Sequence, residues 1–168
     1  IKNAPISHLD LFIKKLISGG ADIKIDKTKN TLKVTGGKRM TIAKIQTMPY
    51  PGIPSDLQSS FGVLATQTAG NTLVQETLYE GRFSYLRELN KMGAKIKILV
   101  PHRAIIGGPV KLRGAEVLAS DLRGGAALVI AGLIARGTTV VIGAEHIERG
   151  YEDLDGRLRK LGADIKKI

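Results

Sequence analysis

Cysteine is absent from this 168-residue chain, and so is tryptophan. Without cysteine there is no disulfide framework and no thiolate metal site, which is compatible with a reducing compartment. Aromatic residues are few, three Phe and four Tyr, and none alternates with basic residues as in base-stacking surfaces. No run of about 18 apolar residues occurs, so no membrane span is expected. The N-terminus does not read as a signal peptide, because Lys14 and Lys15 interrupt its apolar stretch. It opens mid-pattern and without an initiator Met, as expected of a piece of a longer chain. His8, His102 and His146 have no metal-ligand spacing. Gly36-Gly37-Lys38 lacks the spacing and helix of a P-loop, Gly107-Gly108-Pro109 reads as a turn, and no Gly-x-Ser-x-Gly elbow is present.

Acidic charge is also scarce, 15 residues against 26 basic, a net charge of +11. The imbalance is uneven: residues 1–50 hold ten of the basic residues and three of the acidic ones. Such an excess suits a module binding nucleic acid or phosphorylated ligands. The plainer reading is a solvated surface whose acidic counterpart lies on another domain. Apolar residues at 43% and charged residues at 24% fit a globular domain and argue against disorder.

What the sequence does contain is its own repeat. Three segments read as a helix, then Gly-Ala, then an alternating strand: Leu9–Lys24, Leu86–Lys97 and Leu154–Lys166. Their glycines, Gly20, Gly93 and Gly162, lie 73 and 69 residues apart, too far for a solenoid. Leu9, Phe12, Ile13, Leu16 and Ile17 fall on one helical face. The glycines suit a left-handed helix C-terminus. Ile23 with Ile25, and Ile96 with Ile98, alternate as in a half-buried strand.

A second repetition precedes the last two of these helices. Ser55-Asp56-Leu57-Gln58 parallels Ser120-Asp121-Leu122-Arg123, and each opens an apolar run of helical length. Ser or Asp there can cap exposed amides. Leu57, Phe61, Leu64 and Ala65 form one face of the first run; the second, from Leu122 to Ile134, is apolar on most sides and is expected to be buried. Strands follow at Thr72–Gln75 and Thr138–Ile142. Each unit therefore reads strand, helix, strand, helix, strand, strand. The fold class is α/β (α+β): one pseudo-threefold domain over residues 1–168, made of βαβαββ units, the first lacking its opening elements and the third its last strand. A doubly wound parallel sheet is the usual product of alternating β and α, but the paired strands argue against it here.

Pro49-Tyr50-Pro51-Gly52-Ile53-Pro54 forms a stiff loop that delivers Asp56 to a helix start. Asp56 reads either as a helix cap or as a carboxylate held at a domain edge to take a proton. Arg82 lies 26 residues after Asp56, and Arg149 lies 28 after Asp121. The two Asp–Arg pairs are expected at equivalent heights on one face, either as salt bridges or as a phosphate- and carboxylate-binding set.

Pro49–Gln58, Glu76–Phe83, Glu88–Ala94, Ala119–Arg123 and Arg149–Glu152 together resemble the enolpyruvyl transferases that act on UDP-N-acetylglucosamine, in the EPSP-synthase-like family. The similarity runs in order over essentially the whole chain. It implies an inverted α/β prism, with two three-unit domains in the full enzyme and an interdomain cleft. It also implies transfer of enolpyruvate from phosphoenolpyruvate to the 3-hydroxyl of UDP-N-acetylglucosamine, releasing phosphate, as the first committed step of peptidoglycan synthesis in the cytoplasm. No metal or organic cofactor is implied. The expected partners are the two substrates and the second domain, not a membrane or nucleic acid. By position, Asp56 would contact the sugar hydroxyl as candidate base, and Leu78 would lie against the nucleotide sugar through its backbone. Arg82 and Arg149 would bind phosphoenolpyruvate, with Asp121 and Arg123 flanking it and Asp121 counted with Asp56 as catalytic. Gly81 departs from the Asn usual in the family, which puts the support of Arg82 in question. The family's loop with its reactive Cys, and its Lys-Asn pair, have no counterpart here. The isolated chain is expected to fold without catalysing. Transfer to shikimate 3-phosphate, and a non-catalytic basic binding module on the same fold, are the alternatives.

Overall fold

Each helix–Gly-Ala segment turns at a glycine in the left-handed region, with φ of +101° at Gly20, +88° at Gly93 and +92° at Gly162. A side chain would be strained there, so the repeat seen in the sequence is a repeat of backbone conformation. The computed structural model describes residues 1–168. In the first unit, α1 (Asp10–Ser18) leads into β1 (Asp22–Asp26) and β2 (Thr31–Thr35). These two strands form an antiparallel hairpin in register Asp22↔Thr35 to Asp26↔Thr31.

The second unit is complete. It runs β3 (Lys44–Gln46), α2 (Gln58–Ala65), β4 (Gly70–Gln75), α3 (Ser84–Lys91), β5 (Lys95–Val100) and β6 (Arg103–Gly108). Its sheet has the order β3-β4-β6-β5, with β3 and β4 parallel and the other pairs antiparallel. The third unit runs β7 (Glu116–Leu118), α4 (Leu122–Ile134), β8 (Val140–Ile142), α5 (Ala144–Glu148) and α6 (Leu154–Lys160), with β7 and β8 parallel. Three separate sheets result, as the paired-strand pattern predicts, rather than one continuous parallel sheet.

Two expectations fail locally. No strand forms around Ile165. Its counterparts β1 and β5 each pair with a following strand, and the segment after Gly162 has none beside it. The helix α4 is also buried all round only in its first half, and partly exposed near its end. Its Gly124-Gly125-Ala126-Ala127-Leu128-Val129 run and Ala131 are buried, whereas Ile130, Leu133 and Ile134 are exposed. Ala127, Leu128 and Ala131 face the main core, while Ala126 and Val129 pack with Ile147 of α5 and with Leu154 and Leu158 of α6.

The main core lies where α2, α3 and α4 meet the inner face of the second sheet. Phe61, Val63 and Ala65 pack with Leu86, Leu89, Ala127, Leu128 and Ala131 against Ile45, Val74, Ala104 and Ile106. Burying this many aliphatic side chains is the principal stabilising term, each worth about 1.5–3 kcal/mol against exposure. The approach of α2 to α3 depends on Gly62, where an added Cβ would collide with the Tyr85 ring and hydroxyl. The first unit carries a small cluster of its own, Ala4, Ile6, Ile13 and Leu32. It is joined to the main core by Phe12, whose ring meets Phe61 edge-on at 5.2 Å. No helix is long and apolar enough to cross a membrane.

Candidate active site

The two parallel strand pairs end on the same kind of feature: a short loop, then the N-terminus of a helix. After β3, Thr47 bridges Ile53, and the Met48 amide donates to the Ile53 carbonyl at 2.9 Å. That closes the proline-rich loop tightly, and Gly52 sits where a Cβ would strike Met48 and the Pro49 carbonyl. Pro54, extended at φ −67° and ψ 145°, then feeds a 3-10 turn over Ser55–Leu57 that continues into α2. After β7, Asp121 starts α4. The Ser59 hydroxyl donates to the Arg123 carbonyl at 2.9 Å, tying the first turns of α2 and α4 together. Both helix N-termini thus open toward one edge, where the helix dipoles favour negative charge.

Asp121 is a helix cap. Its Oδ1 accepts from the amides of Arg123 at 3.0 Å and Gly124 at 2.8 Å, and its Oδ2 accepts from the Ser84 hydroxyl at 3.2 Å. Asp56 is not a cap, since the Ser55–Leu57 turn and α2 carry no side-chain cap bond. Its carboxylate, 53% exposed, takes a hydrogen bond from Arg123 Nη2 at 2.9 Å, with Arg82 Nη2 at 4.0 Å from the other oxygen. The Arg123 hydrogen bond holds the Asp56 carboxyl below the usual carboxylate range. Partial burial opposes this, and the charges of Arg123 and Arg82 assist it. The same contact raises the Arg123 guanidinium.

Each arginine is steadied by an aromatic face. Arg82 lies 4.8 Å from the centre of the Tyr79 ring, and Arg123 lies 5.9 Å from that of Tyr151. Arg149 ends α5, exposed and in no ion pair. Its neighbour Gly150 packs on Leu122, which sets it beside the first turn of α4. Of the two readings of the Asp–Arg pairs, the salt-bridge one holds barely for the first pair and not for the second. Asp56 lies 4.0 Å from Arg82 and 2.9 Å from Arg123, while Asp121 and Arg149 form no salt bridge. The 26- and 28-residue spacings are similar, but the third unit inserts α5 before its arginine.

Leu78 is partly exposed, and its amide is committed to Glu76 Oε1 at 2.8 Å. What its backbone can offer a ligand is the carbonyl. Gly81 has φ +75°, a conformation that Gly and Asn tolerate best among residues, so the exchange of one for the other keeps the turn that presents Arg82. Lys24, Lys27, Lys29 and Lys33 stand exposed on the β1–β2 hairpin without ion pairs. No arginine of the Asp56 edge belongs to that face. No group of His, Asp and Glu is gathered closely enough to hold a metal ion.

Sequence reasoning singled out Arg123 only through resemblance and missed that it is the main partner of Asp56, because the pair spans 67 residues. It also missed Glu76, which is 2% exposed. Glu76 Oε1 accepts from Thr47 Oγ1 at 2.9 Å and from the amides of Leu78 and Tyr79 at 2.8 and 3.3 Å; Oε2 accepts from Ser55 Oγ at 2.8 Å. The one sequence signal was an acidic residue at the end of the apolar strand Thr72–Gln75, flanked by threonine.

Residues 1–158 match the family described as EPSP synthase (3-phosphoshikimate 1-carboxyvinyltransferase). The chain is 46% identical over 168 residues to a UDP-N-acetylglucosamine 1-carboxyvinyltransferase of Halothermothrix orenii, covering 100% of this chain and 40% of that protein. To a second such enzyme, from Caldanaerobacter subterraneus subsp. tengcongensis, it is 48% identical over 162 residues, 96% of this chain and 38% of that protein. The chain thus spans about two fifths of the length of these curated relatives. Among solved structures, the enolpyruvyl transferase NikO from Streptomyces tendae superposes with a TM-score of 0.86 at 28% identity, over 94% of this chain and 36% of that one.

Proposed function

We propose, from the premise that this chain belongs to the EPSP synthase family, that its Asp56–Arg82–Arg123 edge is one wall of an enolpyruvyl transferase cleft. The substrates in this reading are phosphoenolpyruvate and UDP-N-acetylglucosamine, the products an enol ether at the sugar 3-hydroxyl and free phosphate. The relatives' names support the sugar nucleotide over shikimate 3-phosphate. A second domain outside this chain supplies the opposite wall, and the process served is peptidoglycan synthesis in the cytoplasm.

The observation that carries this reading is the half-exposed Asp56 carboxylate held between two guanidinium groups at two helix N-termini. An anionic substrate entering that edge competes with Asp56 for Arg82 and Arg123, through the paired hydrogen bonds that guanidinium offers phosphate and carboxylate. Arg149, free of any protein carboxylate, can join them. As Arg123 turns to the substrate, Asp56 loses the bond that keeps it a weak base and becomes available to the sugar hydroxyl. It then orients that hydroxyl and takes its proton late, as protonation of the phosphoenolpyruvate methylene, by an acid this edge does not supply, makes the reacting carbon cationic; a proton is lost again from that carbon's methyl group as phosphate leaves. The arginines stabilise the departing phosphate, and closure of the second domain keeps water from the cation. Asp121 acts here by fixing the first turn of α4, and with it the Arg123 backbone.

A phosphate-release assay tests the reading. The full-length protein is expected to release phosphate from phosphoenolpyruvate only when UDP-N-acetylglucosamine is added, and the isolated 168-residue chain to release none. Release dependent on shikimate 3-phosphate instead would replace the substrate assignment.

A further inference from the structure

Glu76 is the one carboxylate in the molecule that is almost wholly buried without a cation. A buried acidic group is costly unless its oxygens are satisfied, and here both are. Three donors converge on Oε1, from Thr47, Leu78 and Tyr79, and one on Oε2, from Ser55. These donors belong to the two loops that leave the ends of β3 and β4. Ser55 immediately precedes Asp56, and Tyr79 carries the ring under Arg82. Thr47 is itself bonded to the second loop, because its hydroxyl accepts from the Thr77 amide at 2.9 Å and its carbonyl from the Thr77 hydroxyl.

We propose that Glu76 is a positioning residue for the transferase reaction. Its Oε2 fixes the Ser55 turn that aims Asp56, and its Oε1 fixes the Leu78–Tyr79 backbone that borders the sugar nucleotide. The inference rests on the function proposed above. Glu76 touches no substrate; it acts through Ser55 on one loop and through two amides on the other. Because a displacement of about 1 Å at a reacting group can cost roughly 10²-fold in rate, a single carboxylate shared by both loops sets their separation as well as their individual shapes.

Three variants in the full-length protein separate this role from a purely structural one. Ser55→Ala cuts only the Asp56 branch. It is expected to lower kcat about tenfold per folded molecule while KM for either substrate stays within about twofold. Glu76→Ala cuts both branches, lowering kcat by about 10²-fold and raising KM for the sugar nucleotide as well. Glu76→Gln keeps an oxygen for the three donors and places an amide against Ser55 Oγ, which can reverse its role from donor to acceptor. It is expected to recover most of the turnover that Glu76→Ala loses. Folded fraction is measured by circular dichroism and kcat is referred to it. If Glu76→Ala does not fold, Ser55→Ala and Glu76→Gln carry the test. Ser55→Ala or Glu76→Ala with kcat per folded molecule and KM equal to the parent's would overturn the positioning role, as would Glu76→Gln failing as badly as Glu76→Ala. A parent protein without enolpyruvyl transfer would instead overturn the function on which the proposal rests, and the proposal with it.

Discussion

Replacing Arg123 with Ala should return the Asp56 carboxyl toward its ordinary range, and the size of the accompanying stability change can be worked from the site. The pair is close at 2.9 Å, but Asp56 is 53% exposed and Arg123 29%. Two charges near 4 Å in water attract by about 1 kcal/mol, and exposed pairs net about 0.2–1 kcal/mol after side-chain ordering and screening. Asp56 is depressed in the folded state. A depressed carboxyl contributes stability above its unfolded value, near about 3.9, and the contribution is lost as pH falls through the folded value. The Arg123→Ala change should therefore cost about 0.2–1 kcal/mol more at pH 7 than at about pH 2. Loss of the Arg123–Tyr151 contact adds a part that does not vary between those pH values. Urea unfolding of the 168-residue chain at both pH values gives the difference, and carboxyl NMR titration gives the Asp56 midpoint directly. A midpoint unchanged by Arg123→Ala, with Arg82 intact, would refute the assignment of Arg123 as the main cause.

Gly62→Ala should destabilise the chain by about 1–3 kcal/mol, the usual cost of overpacking, because the new methyl meets Tyr85; a denaturation midpoint equal to the parent's would contradict this. Asp121→Ala removes the α4 cap and should cost about 0.5–2 kcal/mol, readable in the same experiment, with faster amide exchange at Arg123 and Gly124. Arg149→Ala leaves no protein carboxylate unpaired, so stability should hold within about 0.5 kcal/mol while KM for phosphoenolpyruvate in the full-length protein rises. Unchanged KM would remove Arg149 from the site.

The repeat was legible because it is written in backbone chemistry. Gly20, Gly93 and Gly162 mark left-handed helix ends that few other residues tolerate, and the isoleucine alternation in β5 survives folding directly, whereas in β1 Ile23 is partly buried and Ile25 is exposed. The cap at Asp121 was legible for the same local reason. The parallel between Ser55-Asp56 and Ser120-Asp121 then misled. In the first copy the buried Ser55 reaches Glu76 and the Asp points out to Arg123, whereas in the second the Asp bonds its own helix. Such a difference is decided by tertiary partners 21 and 67 residues away, which no local pattern encodes. Glu76 was hidden because an acidic residue at a strand end ordinarily reads as solvated. The exposure of Ile130, Leu133 and Ile134 near the end of α4 was hidden because hydrophobicity signals what a surface prefers to meet, not whether this chain supplies it.

The most direct test of the central claim is the turnover of Asp56→Asn in the full-length protein, with phosphoenolpyruvate and UDP-N-acetylglucosamine at saturation. Asn keeps the shape of the side chain and its ability to accept from Arg123, while removing the base. The account predicts a kcat lower by roughly 10²–10⁴, the usual worth of general base catalysis, with sugar-nucleotide binding weakened less. Turnover within a few-fold of the parent would contradict it and reduce Asp56 to a surface ion-pair partner.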